Sequence, residues 1–371
     1  MRYFIIAGEA SGDLHGAGLV KALRQIDPEA DIRAWGGERM EGAGAKILKH
    51  YRALAFMGFI EVVRNLPAIL RNFRQVKREI TAFKPHTLIL IDYPGFNLRM
   101  ARWAATQGLR VDYYISPQLW AWKESRVEIV RKYVDAMYVI LPFERPFYQR
   151  HGIEVTYVGH PLLEAIDAFQ AKAGPARRND SIALLPGSRK QEIRHALPVM
   201  LDTAERFPRY HFVIAGAPHV NPDIYGKLLA SRQLPNTELR IGDTYAILHA
   251  AHAAVTTSGT ATLETALFGV PQVVCYKGNA LSFQIARRLV KVPFISLVNL
   301  VAGVPVVDEL IQEHFTAERV TQSLDRILDG PVREEVLRQY ATLRGRLDEG
   351  GASQRVAGAI VKALTSNDGA V

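Results

Sequence analysis

Short apolar runs alternate with helical patterns along most of this chain of 371 residues. A strand, a crossover helix and a second parallel strand form the repeating unit of sheets whose two faces are covered by helices. The sequence therefore predicts an α/β protein of doubly wound parallel sheets. The runs that predict strands are Tyr3–Ala7, Asp31–Trp35, Thr87–Ile91, Arg110–Ile115, Ala136–Leu141, Ser181–Leu185, His211–Ala215, Leu239–Ile241, Ala253–Thr257 and Gln272–Tyr276.

The length favours two domains, because a domain usually has about 100–200 residues. The polar stretch Gln170–Asp180 has no apolar period, and it predicts a linker between the two sets of strands. We expect two Rossmann-like domains, an N-terminal one over residues 1–168 and a C-terminal one over residues 169–344. Helices from about residue 345 to 371 are expected to pack back on an N-terminal domain.

Charge and cysteine content narrow the classes of function. The single cysteine, Cys275, excludes an internal disulfide and a cysteine-based zinc or iron–sulfur site. The sequence has no run near the ~18 apolar residues of a membrane span, so we expect a cytosolic protein. The net charge of +9 predicts nucleic acid, an anionic membrane surface or a phosphorylated substrate as partner. Nucleic acid is disfavoured, since the sequence lacks zinc-finger spacing and long basic blocks.

The loops that follow the strands hold the candidate ligand residues, because open parallel sheets bind ligands beyond the carboxyl ends of their strands. After the first strand, Gly8, Gly12 and Gly16 allow a helix start to approach a ligand closely. Their spacing differs from the dinucleotide pattern, and the second strand ends in Gly36-Gly37 instead of an acidic residue, which disfavours NAD. Asp13 in this loop is either a ligand contact or a helix cap.

Asp92 follows a buried run and precedes the turn Pro94-Gly95. A carboxylate in this position can accept a proton from a substrate hydroxyl. It can equally cap its own loop as an Asx turn, and the residues alone leave both interpretations open. Beyond the next strand, Trp120 and Trp122 either form the wall of an apolar pocket or pack in the core.

Two loops in the second half predict anion binding. Arg189 comes at the start of a helix, where cations are disfavoured, so its position indicates a bound anion such as phosphate. A second helix start made of small residues precedes Glu264, which lies one turn beyond Thr260 and can accept hydrogen bonds from ribose hydroxyls. The other loop residues of this donor side are Gly187, Ser188, Ser258 and Gly259.

The segment Leu54–Phe83 has apolar residues at spacings of three and four with basic residues between them, which predicts an amphipathic helix. Either one stripe packs on the sheet, or the surplus apolar surface binds acyl chains or a membrane interface. The candidates for this contact are Phe56, Met57, Phe59, Val63, Leu66, Leu70, Arg71 and Arg74. The sequence has no Asp-x-Asp pair and no His-Glu-x-x-His, so we expect no catalytic metal and no cofactor.

Eight motifs in register resemble the lipid-A-disaccharide synthase family, and the resemblance runs from residue 3 to about residue 312. They are Ala7-Gly-Glu-Ala-Ser-Gly-Asp13, Met57-Gly58, Asp92-x-Pro-x-Phe-Asn97, Ser116-Pro-x-x-Trp-Ala-Trp122, Leu141-Pro-Phe-Glu144, Gly159-His-Pro161, Leu185-Pro-Gly-Ser-Arg189 and Thr257-Ser-Gly-Thr-Ala-Thr-Leu-Glu264.

The resemblance implies a GT-B glycosyltransferase with two Rossmann-like domains. Such enzymes join UDP-2,3-diacylglucosamine to 2,3-diacylglucosamine 1-phosphate with inversion, releasing UDP and a β-1,6-linked disaccharide phosphate of lipid A synthesis. They act at the cytoplasmic face of the Gram-negative inner membrane. The resemblance leaves open whether this chain forms a homodimer.

Residue roles follow from the same resemblance. Asp92 matches the base that deprotonates the acceptor 6-hydroxyl, Arg189 matches a donor diphosphate ligand and Glu264 matches a ribose ligand. Gly95 and Val298 depart from the family, since some members have Asp and many have Pro at these positions. A further donor-side segment is matched by Asn299, Glu309 and Gln312. The acceptor-side candidates are Glu9, Ser11, Gly12, Asp13, Asn97 and Trp120.

Three alternatives stay open at this point. A UDP-N-acetylglucosamine epimerase or a lipid-linked N-acetylglucosaminyltransferase shares the fold, although the amphipathic segment argues against a soluble epimerase. A non-catalytic nucleotide-sugar or membrane-binding module needs the Arg189 loop and no Asp92. A basic nucleic-acid binder is the third, and competition by oligonucleotides with a steep salt dependence is its test.

Overall fold

The computed structural model describes residues 1–54, 66–122, 124–176, 178–230, 232, 234–278, 283, 292–347 and 350–368, with backbone only at 66, 367 and 368. The chain forms two compact units, and each is described by itself. The first unit consists of Met1–Pro161 with Glu349–Val371, and the second of Leu162–Asp348.

A seven-stranded parallel sheet forms the centre of the first unit, with the order β3-β2-β1-β4-β5-β6-β7. Its strands are β1 (Arg2–Ala7), β2 (Asp31–Gly36), β3 (Lys46–His50), β4 (Thr87–Ile91), β5 (Arg110–Tyr114), β6 (Ala136–Val139) and β7 (Thr156–Tyr157). The helices are α1 (Ala10–Ile26), α2 (Glu38–Gly42), α3 (Leu66–Phe83), α4 (Pro94–Thr106), α5 (Val127–Tyr133) and α6 (Glu144–Arg150). All five residues of β4 are buried, as expected for a central strand covered on both faces.

The second unit has a six-stranded parallel sheet with the order β10-β9-β8-β11-β12-β13. Its strands are β8 (Ser181–Leu185), β9 (His211–Gly216), β10 (Thr237–Ile241), β11 (Ala253–Thr257), β12 (Gln272–Tyr276) and β13 (Glu309–Ile311). The helices are α7 (Pro161–Ala173), α8 (Lys190–Ala204), α9 (Asp223–Ala230), α10 (Thr244–Ala250), α11 (Thr260–Leu267), α12 (Leu297–Ala302), α13 (Ala317–Leu328) and α14 (Gly330–Leu347). A last helix, α15 (Ala352–Asp368), returns to the first unit and packs against α1.

Each unit has its own hydrophobic core. In the first, Trp35 and Tyr113 are fully buried among apolar side chains of α3, α4 and the central strands. In the second, side chains of α8 and α13 pack on the apolar strands β8 and β11. These contacts hold the carboxyl ends of the central strands rigidly in place, and the loops that follow them start from fixed positions.

Three strands and part of one helix were not expected from the sequence. The edge strands β3, β7 and β13 have two to five residues and lack the continuous apolar run of a central strand. The predicted linker Gln170–Asp180 is wrong, because the second unit begins at Leu162 and includes this stretch, whose first four residues belong to α7. The predicted helix over Leu54–Phe83 is observed from Leu66 to Phe83, and residues 55–65 lie outside the described part of the chain.

Candidate active site

The strand order reverses between β1 and β4 in the first sheet and between β8 and β11 in the second. Ligands of doubly wound sheets bind beyond the carboxyl ends of the strands at such a switch point. The loops at the first reversal carry Glu9 and Asp92, and those at the second carry Arg189 and Ser258. Each sheet thus presents sequence-predicted site residues at the place where a ligand is expected.

Asp92 lies in a strained turn that its neighbours hold in place. Asp92 and Tyr93 both have left-handed backbone angles, with φ of 44° and 49°, although neither is glycine. The Asp92 N–H donates to the Tyr114 carbonyl at 3.1 Å, while the Asp92 carbonyl accepts from Tyr113 Oη at 2.6 Å and Asn97 Nδ2 at 2.8 Å. Strain of this kind persists only where surrounding contacts fix it, and it is concentrated at functional sites.

Gly8 is required by the same turn. A Cβ atom at Gly8 would lie 2.3 Å from the ring of Tyr93, so only glycine lets the first loop pass against this side chain. Tyr93 is fixed at its other end, because its hydroxyl donates to the Leu54 carbonyl at 2.8 Å. The first loop and the Asp92 loop therefore form one packed assembly.

The Asp92 carboxyl has an unusual proton affinity. Burial and, after it, the nearby negative charge of Glu9 raise its pKa to about 7, while a hydrogen bond from the Tyr93 backbone opposes the rise. A carboxylate with a pKa near the working pH is suited to taking a proton from a hydroxyl group. The role of Asp92 as a base, which the sequence left open beside that of an Asx cap, stays a prediction.

Two acceptor-side candidates hold the backbone in this structure. The buried Asp13 carboxylate accepts from the N–H groups of Gly37, Arg39 and Met40 at 2.7–3.2 Å, so it caps the N-terminus of α2, not of its own helix. Asn97 is completely buried and its amide nitrogen bonds the end of β4. Direct contact of either side chain with an acceptor stays a prediction.

The other acceptor-side candidates differ in exposure. Ser11 is exposed in the first turn of α1, whereas Gly12 is buried with its α-carbon facing Ala7. Trp120 is half-buried, packs edge-on against Phe143 with ring centroids 4.8 Å apart, and donates from its indole N–H to Glu144. Glu9 is half-buried as well, so Glu9, Ser11 and Trp120 are the three with surface to offer a ligand.

In the second unit, a carboxylate already lies where the sequence predicted an anion. Gly187 has φ of +106°, and a Cβ there would lie 2.5 Å from the Glu192 carboxylate. Glu192 accepts from the backbone N–H groups of Ser188 at 3.1 Å and Arg189 at 3.3 Å, and from the Arg189 guanidinium at 2.9 Å. Arg189 itself is 55% exposed, so its guanidinium is accessible to a ligand.

The N-terminus of α11 is the second predicted anion site of this unit, and it is accessible to a ligand. Gly259, with φ of +147°, is its N-cap, and the exposed Thr260 is its first residue. The Ser258 hydroxyl donates to the Ile295 carbonyl at 2.8 Å. Glu264 accepts from the Tyr245 hydroxyl at 3.3 Å, and burial raises the pKa of Glu264 to about 6, so this carboxylate is mostly ionised at pH 7.

The remaining donor-side candidates form a hydrogen-bonded cluster. The Glu309 carboxylate accepts from the N–H groups of Ile295 and Ser296, the Ser296 hydroxyl and the Asn299 amide at 2.7–2.9 Å. Asn299 is buried and its amide oxygen accepts two further backbone N–H groups. Gln312 has φ of 53° and accepts from the Gly278 N–H, while its buried amide nitrogen has no partner among the described residues.

The basic amphipathic helix is partly described. Its inner face buries Val76, Ile80 and Phe83 in the core of the first unit. On its outer side Leu70 is 47% exposed, and Arg71 and Arg74 are exposed as well. Of the other predicted membrane contacts, Phe56, Met57, Phe59 and Val63 lie outside the described residues, and Leu66 is described by its backbone alone.

Two features are absent from the described residues. They contain no group of three His, Cys, Asp or Glu side chains that could hold a metal ion. Among the helices that can be described, none combines the length and the apolar character needed to cross a membrane.

Sequence reasoning missed four side chains of these loops. Tyr93 and Tyr113 fix the Asp92 turn, Glu144 binds Trp120, and Glu192 binds Arg189. Glu192 had a usable signal, because an acidic residue three positions after a helix N-cap commonly turns back to bind it. For the other three, the contact joins segments that are 21 to 39 residues apart in sequence, and no local pattern indicates it.

Comparison with known proteins decides the family. The model of the lipid-A-disaccharide synthetase family matches residues 3–354. The chain belongs to this family. A lipid-A-disaccharide synthase of Geobacter sulfurreducens is 41% identical over 376 residues, covering 98% of this chain and 97% of the relative. One of Syntrophus aciditrophicus is 42% identical over 372 residues, covering 97% and 96%. Membership makes the chain a glycosyltransferase of lipid A disaccharide synthesis.

Solved structures confirm the fold predicted from the resemblance. The UDP-GlcNAc 2-epimerase of Neisseria meningitidis bound to UDP-GlcNAc has a TM-score of 0.68 at 13% identity and covers 98% of this chain and 100% of its own. Acinetobacter baumannii MurG has a TM-score of 0.57 at 14% identity, covering 97% and 99%. At these identities the likeness establishes the GT-B fold alone. The choice against the epimerase and MurG-like alternatives comes from the family match and not from this structural likeness.

Proposed function

We propose that this family member transfers diacylglucosamine from UDP-2,3-diacylglucosamine to 2,3-diacylglucosamine 1-phosphate, with inversion. The products are UDP and the β-1,6-linked disaccharide 1-phosphate. The observation that carries the proposal is Asp92, a carboxyl group with a pKa near 7 in a strained turn at the switch point of the first sheet. Family membership supports the reaction class, and the acylated substrates are the proposed refinement.

Asp92 acts in this proposal as the general base. Its carboxylate takes the proton of the acceptor 6-hydroxyl while that oxygen forms a bond to the donor anomeric carbon. The bond from this carbon to the diphosphate oxygen breaks, and its electron pair leaves with UDP. Because the attack and the departure occur on opposite faces, the anomeric centre is inverted.

The second unit binds the leaving group in this proposal. The exposed Arg189 guanidinium and the open N-terminus of α11 supply positive charge and N–H donors for the diphosphate. Glu264 accepts from the ribose hydroxyls, and Tyr245 orients it. No cofactor takes part, and the charge of the departing diphosphate is stabilised by protein groups.

The direct test is product analysis with purified protein in detergent, with EDTA present and both acylated substrates supplied. We expect UDP and a tetra-acylated disaccharide phosphate in equal amounts. Disaccharide formed equally well from unacylated UDP-N-acetylglucosamine contradicts the acylated substrates. Tight UDP binding without any turnover contradicts the reaction and indicates a binding module.

We also propose that the first unit binds the cytoplasmic face of an anionic inner membrane through the outer side of α3. The exposed Leu70 lies beside the exposed Arg71 and Arg74, a combination that suits an interface of acyl chains and acidic headgroups. Such contact would give a protein of this family access to lipid substrates in the bilayer.

Removing two charges from this helix should weaken binding to anionic vesicles. Each basic side chain near an anionic surface contributes about 1 kcal/mol, so Arg71→Ala with Arg74→Ala should lower the partition coefficient roughly 30-fold. Co-sedimentation with phosphatidylglycerol vesicles measures it. The matched control removes two exposed arginines of the second unit, Arg326 and Arg338. An equal loss in the control shows that net charge alone causes the binding.

A further inference from the structure

One buried carboxylate joins two loops beside the proposed base. In the first sheet β4, β5 and β6 are neighbours, with Ile91 next to Tyr114 and Tyr114 next to Tyr138. The loops that follow them therefore start side by side at the carboxyl edge. The first of these loops carries Asp92, the second Trp120, and the third ends at Glu144.

Glu144 is 1% exposed and its carboxylate is well supplied with donors. One oxygen, Oε2, accepts from the backbone N–H groups of Leu141 at 2.9 Å and Ile140 at 3.2 Å. The other, Oε1, accepts from the indole N–H of Trp120 at 3.2 Å. Two loops on neighbouring strands thus converge on one side chain.

A structural cap explains only two of these three bonds. Glu144 is the first residue of α6, and its bonds to Ile140 and Leu141 close the local turn. The bond to Trp120 spans 24 residues and adds nothing to that turn. A carboxylate need not be buried to cap a turn, and burying one costs free energy that its hydrogen bonds have to offset.

The loop that carries Trp120 is held in a conformation it would not adopt alone. Its entry residue, Ile115, has φ of 65°, which is strained for a β-branched side chain. Beyond Ile115, the Ser116 hydroxyl is 2.7 Å from the Tyr148 hydroxyl of α6. The indole of Trp120 is held from two sides, by Glu144 at its N–H and by Phe143 against its ring. The ring also packs against the hydrophobic core of the first unit, and it stays partly exposed.

We propose that Glu144 is a positioning residue of the acceptor side, which fixes the Trp120 indole as a wall of the acceptor pocket next to Asp92. The inference rests on the proposed function and assigns a role to a residue outside it. Burial raises the pKa of Glu144 to about 7 and the bonds from its donors oppose the rise. The pKa of Tyr148, a titratable neighbour on α6, is raised mainly by burial and to a smaller extent by the Glu144 charge.

Fluorine NMR tests the positional link without any need for activity. The chain has four tryptophans, so protein labelled with 5-fluorotryptophan should give four resonances, and Trp120→Phe identifies the one of interest. We expect this resonance to move by more than its linewidth in Glu144→Gln, whose amide nitrogen cannot accept a hydrogen bond. Glu128→Gln, on an exposed glutamate of α5, is the matched control and should leave it in place. An unmoved resonance in Glu144→Gln overturns the proposal.

Kinetics then show whether the link serves the acceptor. Glu144→Gln and Trp120→Phe should each lower kcat/KM for the acceptor roughly 10- to 100-fold, and the double variant no further, because both break one contact. UDP affinity should stay unchanged in all three. Multiplying effects, or an equal loss of UDP affinity, overturn the proposal.

Two arrangements keep the test decisive. If Glu144→Gln does not fold, Glu144→Asp keeps the charge but is too short to reach both loops, and it should move the same resonance. If the wild type forms no disaccharide, the proposed function fails while the resonance shift still reports the Glu144–Trp120 link. The two failures are therefore distinguishable.

Discussion

Asp92→Asn is expected to lower turnover about 10³-fold while leaving the affinity for UDP unchanged. General base catalysis typically contributes 10²- to 10⁴-fold, and asparagine keeps the shape of the side chain without its basicity. UDP affinity should persist because the proposed UDP ligands, Arg189 and Glu264, belong to the second unit. A UDP-release assay and calorimetry with UDP measure the two quantities separately.

The pH dependence of the same reaction should follow the ionisation of Asp92. A base must be deprotonated to act, so kcat/KM should fall as the pH drops below about 7, where burial and Glu9 place the Asp92 pKa. Glu144 titrates in the same range. Glu144→Gln separates the two groups, because its profile should keep the limb near pH 7 if Asp92 causes it.

The substitution Asp92→Asn should also stabilise the folded protein at high pH. The Asp92 pKa is raised above its unfolded value of 3.8, so its contribution to stability is present at low pH and is lost as the pH rises through about 7. Asparagine cannot ionise, and after a discount for partial exposure we expect a gain of about 1–2 kcal/mol at pH 8. That corresponds to a Tm increase of a few degrees, which should shrink towards pH 5.

Asp31→Asn is the matched control for these measurements. Asp31 is half-exposed at the opposite end of the sheet, where β2 begins, and its loss should change neither turnover nor the pH profile. A near-normal rate for Asp92→Asn removes Asp92 from the mechanism. A lowered Tm at pH 8 shows instead that its charge is stabilised by contacts other than those that raise its pKa.

The fold was largely predictable because buried parallel strands leave a strong mark on a sequence. Thr87–Ile91, Ser181–Leu185 and Ala253–Thr257 are continuous buried runs, and their predicted bounds agree with the structure. The edge strand Lys46–His50 was not predicted, because it has a partner strand on one side only and its residues are mostly half-buried. Its sequence therefore has a weaker apolar pattern than that of a central strand. Its pairing with β2 is a tertiary effect.

The site was predictable to the extent that it lies directly after strands. Asp92 and Arg189 were placed by this rule, since a parallel strand fixes where its next residue points. The proton affinity of Asp92 was not predictable, because it depends first on burial by the surrounding fold and then on Glu9, which is distant in sequence. Asp13 shows the same limit: it caps α2 across 24 to 27 residues, and no pattern in its own loop indicates that partner.

Arg189→Ala should lower kcat/KM for the donor about 10²- to 10³-fold, the range for removing one donor to a developing oxyanion. Lysine at this position should recover only part of the activity, since it keeps the charge without the planar fork that binds two phosphate oxygens. Steady-state kinetics and UDP calorimetry measure the loss. Arg194→Ala, an exposed arginine farther along α8, is the control and should act like the wild type.

Glu192 competes with the donor diphosphate for Arg189. Its carboxylate now occupies the N–H groups of Ser188 and Arg189 and pairs with the exposed guanidinium, so a diphosphate bound there has to replace it. An exposed pair of this kind contributes 0.2–1 kcal/mol, and Glu192→Gln should therefore tighten UDP binding roughly two- to five-fold. Weakened binding in Glu192→Gln, as large as in Arg189→Ala, contradicts displacement and shows that the carboxylate holds the loop in its binding shape.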